Sequence, residues 1–392
     1  MITTEVIKTI TEYERFKAKW EFEIDFFSLI SDRFQDVDVI LSFFKLNDKS
    51  VKPMVVVCYE YGNLISFTPF YIKQQLFSWD LGVMKLAKFD LAILRLLGDK
   101  PLIFIPEKKL QVFEAIKKTL VNHKKDYDLA LLDNVPMDCS ILWDDILANK
   151  KDLKPLKVRA LQSEPEIIRL INFPETYDQY ISELSYKSRT NYRKAYEKFC
   201  KQCDDNYEFK EFLSSDDVVP FFDQLDDIYK KSWQAQTKGY TKRNTSEAIQ
   251  LHQTIAQKKM FLGYILYIAD KPIAFILGYL VNQTFLHFEI GFDGEYRKQQ
   301  PGKVLEWLLI KKLYQDHEVR LLDYDTGEND YKKILGNNHI YCNKLYIYDH
   351  LSKARVIISI QVILRKCYVL IHRVLVKNGI DNKVRGWLKN RN

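Results

Sequence analysis

The chain is 392 residues long, 47% apolar, 14% aromatic and 28% charged, with 13 glycines. Those proportions exclude disorder, collagen and a disulfide-stapled scaffold, and at roughly 150 residues per domain they predict two domains with substantial cores. The formal charge of +7 is unevenly held: residues 351–392 carry ten Lys/Arg and one acid, whereas the preceding 350 carry 49 bases and 51 acids.

Met1 to Ile10 lacks the apolar run and cleavage site of a signal peptide, so the expected location is the cytoplasm. Six cysteines (Cys58, Cys139, Cys200, Cys203, Cys342, Cys367) are dispersed along the chain, which fits reduced thiols. Cys200 and Cys203 have neither a second pair nor a nearby His, and read as two residues one turn apart on a helix rather than a metal site. In the N-terminal half the pattern predicts a helix over 13–30, strands at 54–59 and 64–72 around the turn Tyr61-Gly62-Asn63, a helix over 107–120, and a strand ending in Leu131-Leu132-Asp133. From Asn172 a helical stretch opens near Pro174 and runs towards Lys201, and an amphipathic helix follows over 221–233. The uncharged run from Pro272 to Phe288 approaches the length of a membrane span. Turn chemistry at Asp270-Lys271-Pro272 and Asn282-Gln283 instead divides it into a meander of strands at 261–269, 273–281 and 284–292. A helix over 302–316, a strand over 319–325, a short helix over 330–335 and a strand over 344–348 complete this half. The fold class is therefore α/β (α+β), with mixed, mostly antiparallel sheets flanked by helices. The same order of elements occurs in both halves and Leu321-Leu322-Asp323 repeats Leu131-Leu132-Asp133, which predicts two copies of one fold joined near residues 155–172.

Pro301-Gly302 after a strand and loop, Asp323-Tyr324-Asp325-Thr326-Gly327, Tyr331-Lys332, and the spaced Ser185, Arg189 and Arg193 occur in one order. That set resembles the GNAT acyltransferase superfamily, in the CelD-like or BioF2-like branch with FemAB proteins as cousins. The resemblance covers residues 172–348 well and 1–155 loosely. It implies tandem GNAT-like domains: a degenerate N-terminal copy over 1–160, a catalytic acyl-CoA-binding domain over 161–350, and the basic tail over 351–392. Where the family shows Gln/Arg-x-x-Gly-x-Gly/Ala, this chain has Gln299-x-x-Gly302-x-Val304, a departure at the last small residue.

Physical chemistry supports a phosphate site in that segment. A helix start presents backbone N–H groups, Gly302 permits close approach, and Arg297, Lys298 and Lys303 add cations. Gln299, Gln300, Gly302, Lys303, Val304 and Arg297 are accordingly the expected cofactor-binding residues, and an ordinary helix start with solvated charges is the competing reading. His287 and Glu289, two apart on one strand, are expected on one face. The resemblance suggests either as the base that deprotonates an acceptor amine. Tyr331 stands where such enzymes place a tyrosine that protonates the departing thiolate, though a packing role suits it equally. Asp323 and Asp325 could bind the acceptor or cap the Gly327 turn. Lys332, Arg189, Arg193 and Trp233 complete the substrate-binding set. For the arginines the competing reading is a solvated helix face, and for Trp233 a place in the core.

On a helical wheel Arg355, Lys366, Arg373 and Lys377 fall within about 40° of one another, among Val, Ile and Leu. This suits a helix in an anionic membrane interface with Trp387 as a further anchor, or equally a helix packed on protein. The charges at Arg365 and Lys366 oppose a span, and confinement of the basic residues to an apolar helix makes nucleic acid an unlikely partner.

The expected function is acyl-CoA-dependent transfer, with an acyl carrier protein as alternative donor. The acceptor is an amine, or a hydroxyl, on a sugar, lipid or polysaccharide precursor of the cell envelope, and no metal is required. The alternatives are FemAB-like transfer from aminoacyl-tRNA and a non-catalytic membrane scaffold.

Overall fold

The structure, a computed structural model, describes residues 2–20, 30, 32–81, 84–98, 102–103, 106–136, 156–160, 165–316 and 319–377. In chain order the elements of the first half are β1 (Ile2–Ile7), α1 (Ile10–Trp20), α2 (Val37–Leu46), β2 (Val51–Glu60), β3 (Asn63–Leu81), β4 (Met84–Leu96), β5 (Leu102–Ile103), α3 (Lys109–Asn122), β6 (Leu129–Pro136) and β7 (Leu156–Ala160). The second half adds β8 (Glu166–Asn172), α4 (Tyr177–Glu183), α5 (Tyr186–Gln202), β9 (Tyr207–Phe212), α6 (Val218–Lys231), α7 (Trp233–Lys238) and α8 (Ser246–Gln257). It continues with β10 (Phe261–Ile268), β11 (Lys271–Val281), β12 (Thr284–Phe292), α9 (Pro301–Asp316), β13 (Leu321–Thr326), α10 (Asp330–Leu335), β14 (Asn338–Asp349) and α11 (Lys353–Lys377).

Residues 1–29, 47–166 and 341–392 form one compact unit, and residues 30–46 with 167–340 form another. The units therefore differ from the expected division at residue 160: α2 belongs to the second, and the C-terminal segment belongs to the first instead of standing apart. In the first unit the strand order is β1-β2-β3-β4-β6-β14, antiparallel except for the β4–β6 pair, with β5 added to β3 and β7 to β14. The order in the second, β9-β10-β11-β12-β13-β8, obeys the same rule with β12–β13 as the parallel pair. In each, a helix (α3 or α9) connects the two parallel strands, as a parallel crossover requires. The repeated Leu-Leu-Asp lies on β6 and β13, the corresponding strands, so the duplication expected from the sequence is present in the topology.

The central strands of the second unit form because β10 and β11 are almost continuously apolar and buried on both faces. Ala269 and Asp270, both at positive φ, close the hairpin between them. Val304, Leu305, Leu309, Ile310 and Leu313 of α9 pack against Leu262, Tyr264 and Leu266 of β10 on one face. On the other, the α6 side chain Phe221 fills the space above Gly263, where a Cβ would come within 2.6 Å of its ring. The helix expected from 172 to 201 is broken in two: Ser185 stops α4 and caps α5 by accepting the Ser188 N–H. Cys203 closes α5 with its thiol donating to Phe199 O. Of the N-terminal helix expected to reach Ile30, α1 ends at Trp20 and residues 21–29 lie outside the described residues.

In the first unit α11 lies against β3 and β4. Trp79 Nε1 donates to Ile357 O and Gln361 Oε1 accepts the Asp80 N–H, both at 2.9 Å, while Ala354, Ile357 and Ile358 join Leu91, Ile93 and Tyr346 in a core. No helix among the described residues is long and apolar enough to cross a membrane. Trp387 lies outside the described residues.

Candidate active site

β12 and β13 run parallel but pair only over Thr284–Leu286 with Leu321–Asp323. Beyond those residues the two strands part at their C-terminal ends, the place where open α/β sheets present ligands. β12 is also bulged: Glu289 pairs with Leu277 and His287 with Gly278, so Phe288 is an extra residue. Gly278 is needed opposite the bulge, since a Cβ there would meet the Phe285 ring at 2.2 Å and Leu286 O at 2.9 Å. The bulge overturns the expectation that His287 and Glu289 share a face. His287 turns to α9, and Glu289 turns to the side covered by α6.

On the α9 side His287 Nε2 donates to Glu306 Oε1 at 2.9 Å, and the Tyr324 hydroxyl donates to Glu306 Oε2 at 3.1 Å. All three residues are buried. Their polar groups are thus satisfied in a dry setting, where each bond is strong and each loss costly. The Tyr331 ring lies 5.6 Å from Tyr324 and 6.4 Å from His287, and burial, reinforced by the nearby Glu306 charge, raises its phenol far above the usual range. Lys332, expected to meet substrate, instead turns inward. Its ammonium donates to the carbonyls of Tyr324, Asp325 and Thr326, which occupies its three N–H donors and braces the end of β13. Burial lowers its pKa. Asp325 sits at positive φ, Asp323 Oδ1 accepts the Asp325 N–H, and Asp325 Oδ1 accepts the Thr326 N–H. These two carboxylates therefore shape the turn before Gly327.

On the α6 side Glu289 Oε1 accepts from Arg243 Nη2 at 2.8 Å. The Arg243 guanidinium lies 4.2 Å from the centre of the Tyr229 ring, and its backbone N–H donates to Asp226 at 2.7 Å. Asp226 is buried and also accepts from the Tyr240 hydroxyl and the Lys230 ammonium. Burial opposes its ionisation, but the Arg243 N–H, Lys230 and Tyr240 together hold its carboxyl below the usual range. Gln234 Nε2 donates to Ile290 O on β12 at 2.9 Å, and its Oε1, like Arg243 Nε, is buried without a partner among the described residues. Beside them opens a cleft of about 900 Å³ lined by Lys230, Lys231, Trp233, Gln236, Phe292 and Arg297, among others. Trp233 is exposed, so it belongs to this cleft and not to the core.

Where the loop after β12 enters α9, Gln300 adopts the left-handed conformation and Pro301 takes the first helical position. The Gln300 N–H donates to Arg297 O, and the N–H groups of Lys303 and Val304 donate to Gln300 O. With Pro301 lacking an N–H, Gly302 has the one amide of this turn outside that set. The fit to a phosphate is therefore one amide and the exposed cations Arg297 and Lys298, in place of the run of amides expected from the motif. Lys303 reaches Asn191 Oδ1 of α5 at 3.3 Å, and Val304 is buried in the core, which explains its departure from Gly or Ala. Gln299 Oε1 is buried with no donor, an acceptor left for a ligand hydroxyl or amine. On α5, Arg193 is exposed and pairs with Glu197, while Arg189 is half-buried. No group of side chains suited to a metal occurs among the described residues.

Sequence reasoning missed Glu306, Asp226 and Arg243. Glu306 had a signal, as the one acid within the mainly apolar run from Val304 to Ile310. Arg243 and Asp226 had none, since each looks like an ordinary charge on a polar stretch.

Residues 186–333 match the model of an acetyltransferase (GNAT) domain. Among solved structures the chain is similar to FemX, at 10% identity and a TM-score of 0.57, covering 88% of this chain and 97% of that one. It is similar also to the C-terminal domain of a protein assigned as a lysylphosphatidylglycerol synthetase from Agrobacterium fabrum, at 10% identity and a TM-score of 0.52, covering 89% and 95%. At that identity these likenesses establish the fold. Among curated proteins none matches the chain.

Proposed function

We propose that the protein, residues 186–333 of which match the model of an acetyltransferase (GNAT) domain, is an acyl-CoA-dependent N-acyltransferase whose acceptor is an amine on a sugar, lipid or polysaccharide precursor of the cell envelope. The observation that carries this reading is the parting of β12 from β13 beyond Leu286 and Asp323, with the Glu289 carboxylate and the His287 imidazole on opposite faces of the bulge. Arg297, Lys298 and the Gly302 N–H hold the phosphates of the donor, and Gln299 Oε1 takes a donor hydroxyl or amine. The donor supplies an activated thioester carbonyl. Glu289, on the side of the Trp233 cleft, accepts the proton that the acceptor ammonium must lose before it can attack. Arg243 fixes the direction of that carboxylate through their 2.8 Å ion pair. Tyr331, whose burial keeps its proton on the phenol oxygen, stabilises the departing thiolate by donating a hydrogen bond to it, solvent supplies the thiol proton, and His287 with Glu306 fixes the wall on which Tyr331 packs.

The fold shared with FemX, together with the FemAB resemblance, makes aminoacyl-tRNA the competing donor. Thermal unfolding with CoA, acetyl-CoA and aminoacyl-tRNA separates the two. A donor at 100 times its Kd stabilises by about 2.7 kcal/mol, a shift of several degrees. CoA is expected to give that shift and Gly302→Glu to abolish it. The fold tolerates this substitution, because a Cβ on Gly302 meets only the Phe292 ring at 3.6 Å. A shift with aminoacyl-tRNA and none with any CoA compound would overturn the acyl-CoA reading.

A further inference from the structure

The outer side of α11 is not explained by the packing of its inner side. Ala354, Ile357, Ile358 and Gln361 are at most 6% exposed, yet Val356, Ile363, Leu370 and Val374 are 58–62% exposed. At 100° per residue those four, with the exposed Cys367, fall within about 60° on the wheel. They form one apolar line along the helix, seven or four residues apart. Arg355 and Lys366, both exposed, stand about 80 to 100° to one side of it. The segment from residue 351 onward holds ten of the chain's bases and one acid.

We propose that α11 is a membrane-surface helix, its Val356–Ile363–Leu370–Val374 line inserted among the acyl chains of an anionic bilayer and its basic flank in the headgroups. An apolar line bordered by cations is the arrangement that places side chains at the boundary between headgroups and hydrocarbon. The same charges argue against a second copy as occupant, since pairing this face with itself brings two strongly basic segments together, whereas anionic lipid neutralises them. The first half of the helix is held by Trp79, Asp80 and the core beneath it, so the line is presented by a fixed support and pays little ordering cost on binding. The inference stands apart from the choice of acyl donor.

The test is cosedimentation of the full chain with vesicles of phosphatidylcholine alone and of phosphatidylcholine with one-third phosphatidylglycerol. Binding is expected to the anionic vesicles and to weaken with salt. Lys366→Gln and Arg355→Gln each reduce it about five-fold, the factor that corresponds to one cation near an anionic surface. Ile363→Glu with Leu370→Glu abolishes it while circular dichroism and Tm stay at wild-type values, because both side chains are more than half exposed. Failure of the wild type to bind anionic vesicles overturns the proposal, as does undiminished binding by the Ile363→Glu/Leu370→Glu variant. A dimer in sedimentation equilibrium that this variant splits also overturns it, by assigning the line to a second copy.

Discussion

Acid should loosen the α8 side of the second unit through His252. This side chain is 8% exposed, with Nδ1 against Ala248 O and Nε2 against the Tyr279 hydroxyl. Burial first, and the Arg33 charge in addition, push its pKa down to about 4 from an ordinary 6.5, against a smaller opposing effect of the Ala248 carbonyl. Because the folded value lies below the unfolded one, the unfolded chain binds a proton first as pH falls. Stability is therefore full above about pH 6.5, drops by about 2 kcal/mol at pH 5, and has lost about 3 kcal/mol by pH 4. The assay is urea denaturation at pH 7.5, 6 and 5 for wild type and His252→Gln, with the imidazole titrated directly by NMR. The variant removes the titration, so its stability should change with pH about 2 kcal/mol less than the wild type's between 7.5 and 5. The reasoning fails if the imidazole titrates near 6.5 in the folded protein, or if the two pH profiles run parallel. The consequence reaches the site, since the Tyr279 ring carries the Arg33 guanidinium at 4.0 Å and touches Phe288, the extra residue of the bulge.

Two further substitutions probe the bulge and the buried network. Gly278→Ala puts a methyl group into the Phe285 ring and against Leu286 O. Overpacking of this kind costs about 1–3 kcal/mol, to be read as a lowered urea midpoint, and unchanged stability would mean that the strand can move away at no cost. Glu306→Leu strands the buried His287 Nε2–H and Tyr324 hydroxyl, each at about 1–3 kcal/mol, whereas Glu306→Gln keeps an acceptor and should cost clearly less. Equal losses in the two variants would show that volume, and not hydrogen bonding, is what Glu306 contributes.

The parts of the fold legible in the sequence are those whose pattern is strong and local. The runs 261–269, 273–281 and 284–292 were bounded by Asp270 and Asn282, and β10, β11 and β12 follow them closely. β4 and β9 escaped notice although each carries a period-two pattern, because charges such as Lys85, Lys88, Asp90, Glu208 and Lys210 are interleaved along them. β8 is not legible because it lies within residues 155–172, where the repeat of elements predicts only a join between the copies. At the site, the Pro-Gly and Asp-aromatic-x-x-Gly motifs located the loop and the strand end correctly. What they could not give was the partner of each charge, because Arg243 and Asp226 come together only through the fold of the chain between α6 and α8.

The bulge is where local spacing misled, and it has the largest consequence for mechanism. Two-residue spacing on a strand says that His287 and Glu289 face the same way, and then either could serve as base in one pocket. A single extra residue, Phe288, opposite a glycine whose Cβ would clash with the Phe285 ring and Leu286 O, sends them to opposite faces. One is locked into a dry network with Glu306 and Tyr324, and the other is paired with Arg243 on the α6 side. Two candidates for one role thereby stand in different settings, one inside a buried hydrogen-bonded network and the other in an ion pair on the opposite side of the strand.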